Sequence, residues 1–344
     1  MAHSEVENTA IPVIDISKPS DEVARQVLEA ASTHGFLFIQ NDGVTIPPKD
    51  INDMFKLSEK FFSSSDEQKA AYAIHSDKAG GTNRGWVKMA GESLDPEGQK
   101  QGDPKEAFNI GPPQPHLQPL PSPLSTSSSL ILRFQNSCHA LCTSILSLLG
   151  TALETPDPSY FASRHDQTLG PSGTIFRMLY YPSASTATKE DDRSIRAGAH
   201  SDYGSLTLLF RVPGQPGLEL FSPKNQTWVP VPVNPSPSTL SHPPILVNIG
   251  DLLSFWTGGM LKSTVHRVTF SGGGERYSMA YFCHPLDDAK LERVESRVLA
   301  QADGKMGREE LRSQRKRLGL KEDDEEVLTA KEHLDRRLRV TYGL

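Results

Sequence analysis

Cysteine is scarce in this sequence: 344 residues hold three, Cys138, Cys142 and Cys283. So few cannot build a disulfide framework, and Cys138 and Cys142 fall four apart in "SCHALCTSILSLLG", the spacing of neighbours on one helix face. All three are read as reduced structural thiols. Long apolar runs are missing as well, with no stretch near the roughly 18 residues that a membrane span needs. The opening "MAHSEVENTAIPVIDIS" lacks the basic start and apolar run of a secretory signal. Positive charge is not in excess either: Lys and Arg number 36 against 42 Asp and Glu, a formal net charge of -6. That balance argues against non-specific nucleic-acid binding. No repeat at solenoid periods is present. These absences point to a cytoplasmic protein that acts on a small molecule, with no nucleic-acid or membrane partner, and they leave the oligomeric state open.

What is present describes a globular chain, 36% hydrophobic and 23% charged, long enough for one large domain or two ordinary ones. "IPVIDIS" reads as a short strand and "DEVARQVLEAASTHG" as an amphipathic helix, with Val23, Val27, Leu28 and Ala31 inward and a terminating glycine. "FLFIQNDGV" is a buried strand, and a helix follows over about 51–62. "NRGWVKMAGE" and "KEAFNIG" are candidate strands. The Pro- and Ser-rich run "GPPQPHLQPLPSPLSTSSS" cannot be helix interior and reads as an extended surface crossing and a possible boundary. A long helix over about 129–153 comes next, carrying Leu130, Phe134, Leu141, Ile145, Leu148 and Leu149.

From Gly173 to His284 the pattern turns to short β-type runs: "TIFRMLYY", "LTLLFRV", "LELF", "TWVPVPV", "PILVNIG", "LLSFW", "STVHRVTF" and "RYSMAYF". Many short strands broken by Gly and Pro argue for an antiparallel sandwich or barrel with helices outside, and "STATKEDDRS" and "NPSPSTLSHPP" read as loops. "KEDDEEVLTAKEHLDRRLRVTY" places acids first and arginines last, matching a helix dipole, with Val327, Leu334 and Leu338 on one face.

Within this pattern "AHSDYG" sets His200 and Asp202 two apart, on one face if the segment is extended. His266, in a later β-type run, can bring a second imidazole to the same point. Two histidines and one carboxylate with open positions are the ligand set of non-haem Fe(II) oxygenases. Taken alone, His-x-Asp is a weak signal, since turn and cap hydrogen bonding commonly explain it. Arg276 and Ser278 add to it. They too share a strand face, on a strand that follows the His266 strand through a Gly-rich turn, and a guanidinium beside a hydroxyl is a carboxylate receptor. A dicarboxylate that chelates a metal at one end and reaches Arg276 at the other fits both.

"HSD", "STVHRV" and "RYS" resemble the motifs of the 2-oxoglutarate and Fe(II)-dependent oxygenase superfamily. "GFLFIQNDGV", "RGW", "KEAFNIG", "LYYP", "ILVNIGDLLSFWTGGMLKSTVHRV" and "KEHLDRRLRVTY" resemble its isopenicillin N synthase-like branch, especially fungal members, over nearly the whole chain. The resemblance implies an α+β, mostly β fold: a double-stranded β-helix (jelly-roll) core with flanking helices. It divides the chain into an N-terminal α/β region, 1–120, and a jelly-roll domain with the C-terminal helix, 121–344, forming one structural unit. It also implies His200, Asp202 and His266 as iron ligands, with Arg276 and Ser278 clamping the distal carboxylate of 2-oxoglutarate.

Tyr181 stands where the family often has a tyrosine that reaches the same carboxylate; packing at a strand end is its other reading. Many relatives carry asparagine two residues earlier, where this chain has Leu179. Arg84, Trp86 and Phe108 lie in segments that approach the substrate in relatives, and Phe282 continues the Arg276–Ser278 face, as pocket wall or core. Asp251 reads as a turn or fold residue. The implied cofactors are Fe(II), 2-oxoglutarate and O2, and the reaction is oxidation of a small organic molecule, as in fungal secondary metabolism, with release of succinate and CO2. An oxidase in which Arg276 grips the substrate's own carboxylate without 2-oxoglutarate is one alternative, and a ligand-binding barrel without turnover is another. Hydroxylation, desaturation, cyclisation and ring expansion are not distinguished, nor is whether the C-terminal helix caps the pocket.

Overall fold

The computed structural model describes residues 10–95, 98, 101–183, 195–240, 242–269, 274–302, 308–317 and 327–343. Twelve strands are present among them: β1 (Val13–Ile14), β2 (Phe36–Ile39), β3 (Gly85–Val87), β4 (Glu106–Ile110), β5 (Ile175–Tyr181), β6 (Ile195–His200), β7 (Leu206–Arg211), β8 (Leu218–Ser222), β9 (Thr227–Pro230), β10 (Ile245–Ile249), β11 (His266–Thr269) and β12 (Arg276–Cys283). The α-helices are α1 (Asp21–Thr33), α2 (Pro48–Phe62), α3 (Asp66–Ala70), α4 (Ser128–Ala152), α5 (Tyr160–Ser163), α6 (Asp251–Trp256), α7 (Arg297–Gln301), α8 (Arg308–Arg317) and α9 (Ala330–Tyr342).

The strands form an eight-stranded sheet, in the order β1-β2-β10-β7-β12-β5-β4-β3, and a four-stranded sheet, β6-β11-β8-β9. Every pair is antiparallel except β1 with β2. Two such sheets enclosing one cavity make the jelly-roll, with helices packed outside. The first 110 residues supply strands to both edges of the large sheet, β1 and β2 at one and β3 and β4 at the other.

Local chemistry explains most boundaries. Ser20 caps α1 by accepting from the Val23 amide, and Asp21 and Glu22 face the positive end of the helix dipole. Gly35 ends the turn into β2 at φ +70, and a Cβ there would sit 2.3 Å from the Lys262 carbonyl oxygen, so only glycine fits. α2 starts at Pro48, earlier than the apolar pattern alone indicates, because proline is favoured at the first helical position. α4 buries Phe134, Leu141, Ile145, Leu148 and Leu149 as expected, with Leu130 half-buried. Cys138, Cys142 and Cys283 are free and buried.

Three expectations are corrected. "LLSFW" is a helix, α6, not a strand. All six residues of α6 are buried, so no alternation marks the run, and a short apolar stretch of this kind does not by itself distinguish strand from buried helix. β11 and β12 follow one another in sequence but lie in different sheets, β11 between β6 and β8 and β12 between β5 and β7. Val327 lies before α9 and is 46% exposed, whereas Leu334 and Leu338 are buried on that helix. The loop 185–194, the 271–273 part of the Gly-rich turn and the acidic run 321–326 lie outside the described residues.

Candidate active site

β6 ends at His200 and β11 begins at His266, and the two residues are paired in register across the strands. Their rings therefore lie side by side, centroids 4.3 Å apart. Asp202 is two residues beyond β6, off the strand, yet its Oδ1 is 3.7 Å from the Nε2 of each histidine. One donor atom from each residue lies within 4.8 Å of the others. Among the described residues no other His, Cys, Asp or Glu group of three or more is arranged to hold a metal.

Each donor is oriented by a hydrogen bond on its far side. The Nδ1 of His200 is 2.7 Å from the Gly198 carbonyl and that of His266 is 3.1 Å from the Thr264 carbonyl. A carbonyl can only accept, so each Nδ1 carries the proton and each Nε2 keeps its lone pair for the site. Asp202 Oδ2 accepts from Thr207 Oγ1 at 2.6 Å and Asn248 Nδ2 at 2.7 Å, which leaves Oδ1 free. Burial and the neighbouring His266 push the His200 pKa down to about 4. Burial alone would raise Asp202, but the facing imidazoles and its two donors hold it below the usual range. The site thus presents two imidazole nitrogens and a carboxylate oxygen, a donor set suited to a divalent metal with open positions.

Arg276 is 2% exposed on β12. Its Nε donates to the Pro216 carbonyl at 3.1 Å, its Nη1 to Ser278 Oγ at 3.2 Å, and the Tyr181 ring centroid lies 4.9 Å from Cζ. Tyr181 is its register partner on β5. Among the described residues no carboxylate pairs with this guanidinium, whose pKa burial lowers. A buried cation without an acid, lining the same cavity as His200, Asp202 and His266, has the chemistry to take an anionic ligand.

The period-two face of β12 runs as expected: Arg276, Ser278, Ala280, Phe282 and, just past the strand, His284 all line the cavity. Leu179 faces it as well, opposite Ser278. Arg84, Trp86 and Phe108 do not line it. Arg84 folds back along Gly111 toward the Gly80 carbonyl, Trp86 donates Nε1 to Glu106 at 2.8 Å, and Phe108 packs on Phe61 with ring centroids 4.8 Å apart. On a strand a one-residue error reverses the face, and Asn109, beside Phe108, is the residue that enters the cavity. Asp251 is a fold residue, accepting from Ser263 at 2.7 Å.

Thr207 and Asn248 escaped the sequence reading, and so did the polar wall of Glu92, Lys105 and Arg177. The alternation in "KEAFNIG" placed Lys105, Ala107 and Asn109 on one face and would have found part of that wall. α9 closes the cavity with Leu334, Leu338, Thr341 and Tyr342. It is tied there by Tyr342 to Glu92 Oε2 at 2.9 Å, Arg337 to the Ser201 carbonyl at 3.3 Å, and Thr341 to the Tyr203 hydroxyl. The cavity measures about 130 Å3.

Comparison with known proteins matches this architecture. Residues 11–129 fit the family described as non-haem dioxygenase in morphine synthesis N-terminal, and residues 172–285 fit the 2OG-Fe(II) oxygenase superfamily. The 2-oxoglutarate-dependent dioxygenase ecdK of Aspergillus rugulosus is 30% identical over 75% of this chain and 81% of its own. The chain belongs to the 2OG-Fe(II) oxygenase superfamily. The UPF0676 protein of Schizosaccharomyces pombe is 34% identical over 97% of this chain and 93% of its own. A full-length Neurospora crassa protein, solved in complex with alpha-KG, aligns with a TM-score of 0.73 at 29% identity, covering 95% of each chain. This 2OG-Fe(II) oxygenase is thus an enzyme that uses Fe(II), 2-oxoglutarate and O2. Its relatives are named as 2-oxoglutarate-dependent enzymes, which disfavours the oxidase alternative. Among the described residues no helix is long and apolar enough to cross a membrane.

Proposed function

We propose that His200, Asp202 and His266 are the Fe(II) ligands and that Arg276, with Ser278 and Tyr181 beside it, receives the distal carboxylate of 2-oxoglutarate. The observation that carries this reading is the division of each donor: Nδ1, Nδ1 and Oδ2 are held by the protein, while Nε2, Nε2 and Oδ1 converge within 4.8 Å of one another. When bound, iron and 2-oxoglutarate supply O2 activation, with decarboxylation to succinate and CO2 and oxidation of the substrate. The chain's own contribution is positional. Thr207 and Asn248 fix the carboxylate, the two carbonyls fix the imidazoles, and Arg276 fixes the cosubstrate's orientation within the cavity. α9 and the apolar lining restrict water around the reacting end.

The substrate in this reading is a free small organic molecule held between the metal site and α9. Fungal relatives named as 2-oxoglutarate-dependent dioxygenases, and structures of the Neurospora crassa protein solved with thymine and with 5-formyluracil, support that class and support a place in fungal small-molecule metabolism. We also read residues 1–120 and 121–344 as one working unit in the cytoplasm, supported by the joining of early and late strands in one sheet.

Succinate release tests the assignment. His200→Ala should show no Fe(II)-dependent succinate formation. Arg276→Gln should retain iron but need roughly 10- to 100-fold more 2-oxoglutarate, as expected for losing a charge-assisted bond of about 1.5–3 kcal/mol. An unchanged requirement in Arg276→Gln would refute the clamp.

A further inference from the structure

Five charged side chains line the cavity among the described residues: Asp202, Arg276, Glu92, Lys105 and Arg177. The first two belong to the metal and carboxylate sites. The other three form a separate wall, backed by Asp103. Lys105 Nζ lies 3.0 Å from Glu92 Oε1 and 2.6 Å from Asp103 Oδ2, and Arg177 Nη2 lies 2.5 Å from Glu92 Oε1. Tyr342 donates to the other Glu92 oxygen, while the Gly198 and Leu94 amides donate to Asp103. Two cations face two carboxylates, so the wall carries no net charge. Burial alone would push the Glu92 carboxyl up, but Arg177 and Lys105 hold it well below the usual carboxylate range, so it stays ionised.

Exposure within the wall is uneven. The side chains of Glu92 and Lys105 are 1% exposed and that of Asp103 0%, whereas Arg177 shows 12%. Arg177 is therefore the member that presents itself to a ligand, and Asn109 stands opposite it in register on β4. An unpaired guanidinium so largely buried would hold any small carboxylate. With Glu92 against it, the same group remains a hydrogen-bond donor for a carbonyl or hydroxyl but offers no net charge to a second anion.

We infer that this compartment takes an uncharged polar substrate, and that Glu92 is the specificity-determining residue that makes it so, by cancelling the charge that Asp103 leaves unmatched on Arg177 and Lys105. The inference rests on the reading that Arg276 receives the cosubstrate. Its consequence is that 2-oxoglutarate, a dianion, is confined to the Arg276 end and does not compete for the substrate end.

Calorimetric titration of 2-oxoglutarate into the anaerobic Fe(II) enzyme tests this. The unmodified protein should bind one equivalent per chain. Glu92→Gln and the apolar Glu92→Met, made in parallel so that either can serve if the other does not fold, should bind a second, weaker equivalent. That second equivalent should vanish in E92Q/R177Q. Two equivalents in the unmodified protein, or one in a folded Glu92 variant, would overturn the inference. No binding at all in the unmodified protein would instead count against the Arg276 clamp on which it rests.

Discussion

Asp202 commits one oxygen to Thr207 and Asn248 and keeps the other for the site, a division that sets its orientation. Replacing both donors, Thr207→Val with Asn248→Leu, should weaken Fe(II) binding about 10- to 100-fold, measured by competition with a chelator, because groups behind a ligand commonly matter to that extent. An unchanged affinity would mean that Asp202 is held by its backbone alone. The convergence of His200, Asp202 and His266 was legible in the sequence because their types and motif context are distinctive. Thr207 and Asn248 were not, since a threonine and an asparagine within apolar strands look like ordinary core exceptions until the carboxylate they bind is seen beside them. Asp202 also shows the limit of period-two reasoning: its convergence with His200 was anticipated, but the strand ends at His200 and Asp202 lies two residues past it, outside any strand.

Among the elements, α9 supplies one wall of the chamber, with Leu334, Leu338, Thr341 and Tyr342. Thr329 caps it in a reciprocal arrangement with Glu332, Thr329 Oγ1 accepting from the Glu332 amide and Glu332 Oε2 accepting from the Thr329 amide. Thr329→Ala should destabilise this helix by about 0.5–2 kcal/mol, seen as faster hydrogen exchange over 330–342 with little change in the sheets. Equal loss of protection throughout the protein would show instead that α9 unfolds only with the whole. Strands β2, β5, β7, β10 and β12 were readable from their apolar runs. α6 was misread because a fully buried helix of six residues has no polar face to reveal its period. Trp86 and Phe108 were misplaced for a related reason: an aromatic on a short strand buried throughout gives no sign of which face it takes.

At the scale of the whole molecule, the chamber stores buried groups whose neutral form the fold requires. His284 is held down to about 3 by burial first, then by His333 and His165, against an ordinary value of 6.5. Its folded pKa is thus below its unfolded one, so the unfolded chain takes up the proton first. Stability intact above about pH 6.5 should fall as the pH drops toward 3, by roughly 4 kcal/mol from this residue. Denaturant unfolding of the metal-free protein across that range should show the fall, with a shallower slope in His284→Asn; parallel slopes would contradict it. The order of strands in the two sheets was not legible, because pairing of β2 with β10, or of β4 with β5, joins segments far apart in sequence that no local pattern links. In the proposed site the two histidines and Asp202 hold iron beside an arginine that receives 2-oxoglutarate. The most direct test is an anaerobic optical titration of the purified protein with Fe(II) and then 2-oxoglutarate, alongside His266→Ala. A weak visible charge-transfer band should appear on addition of 2-oxoglutarate to the unmodified protein and be absent from His266→Ala. A band of equal strength in both would contradict the assignment, as would its absence from unmodified protein shown to contain iron.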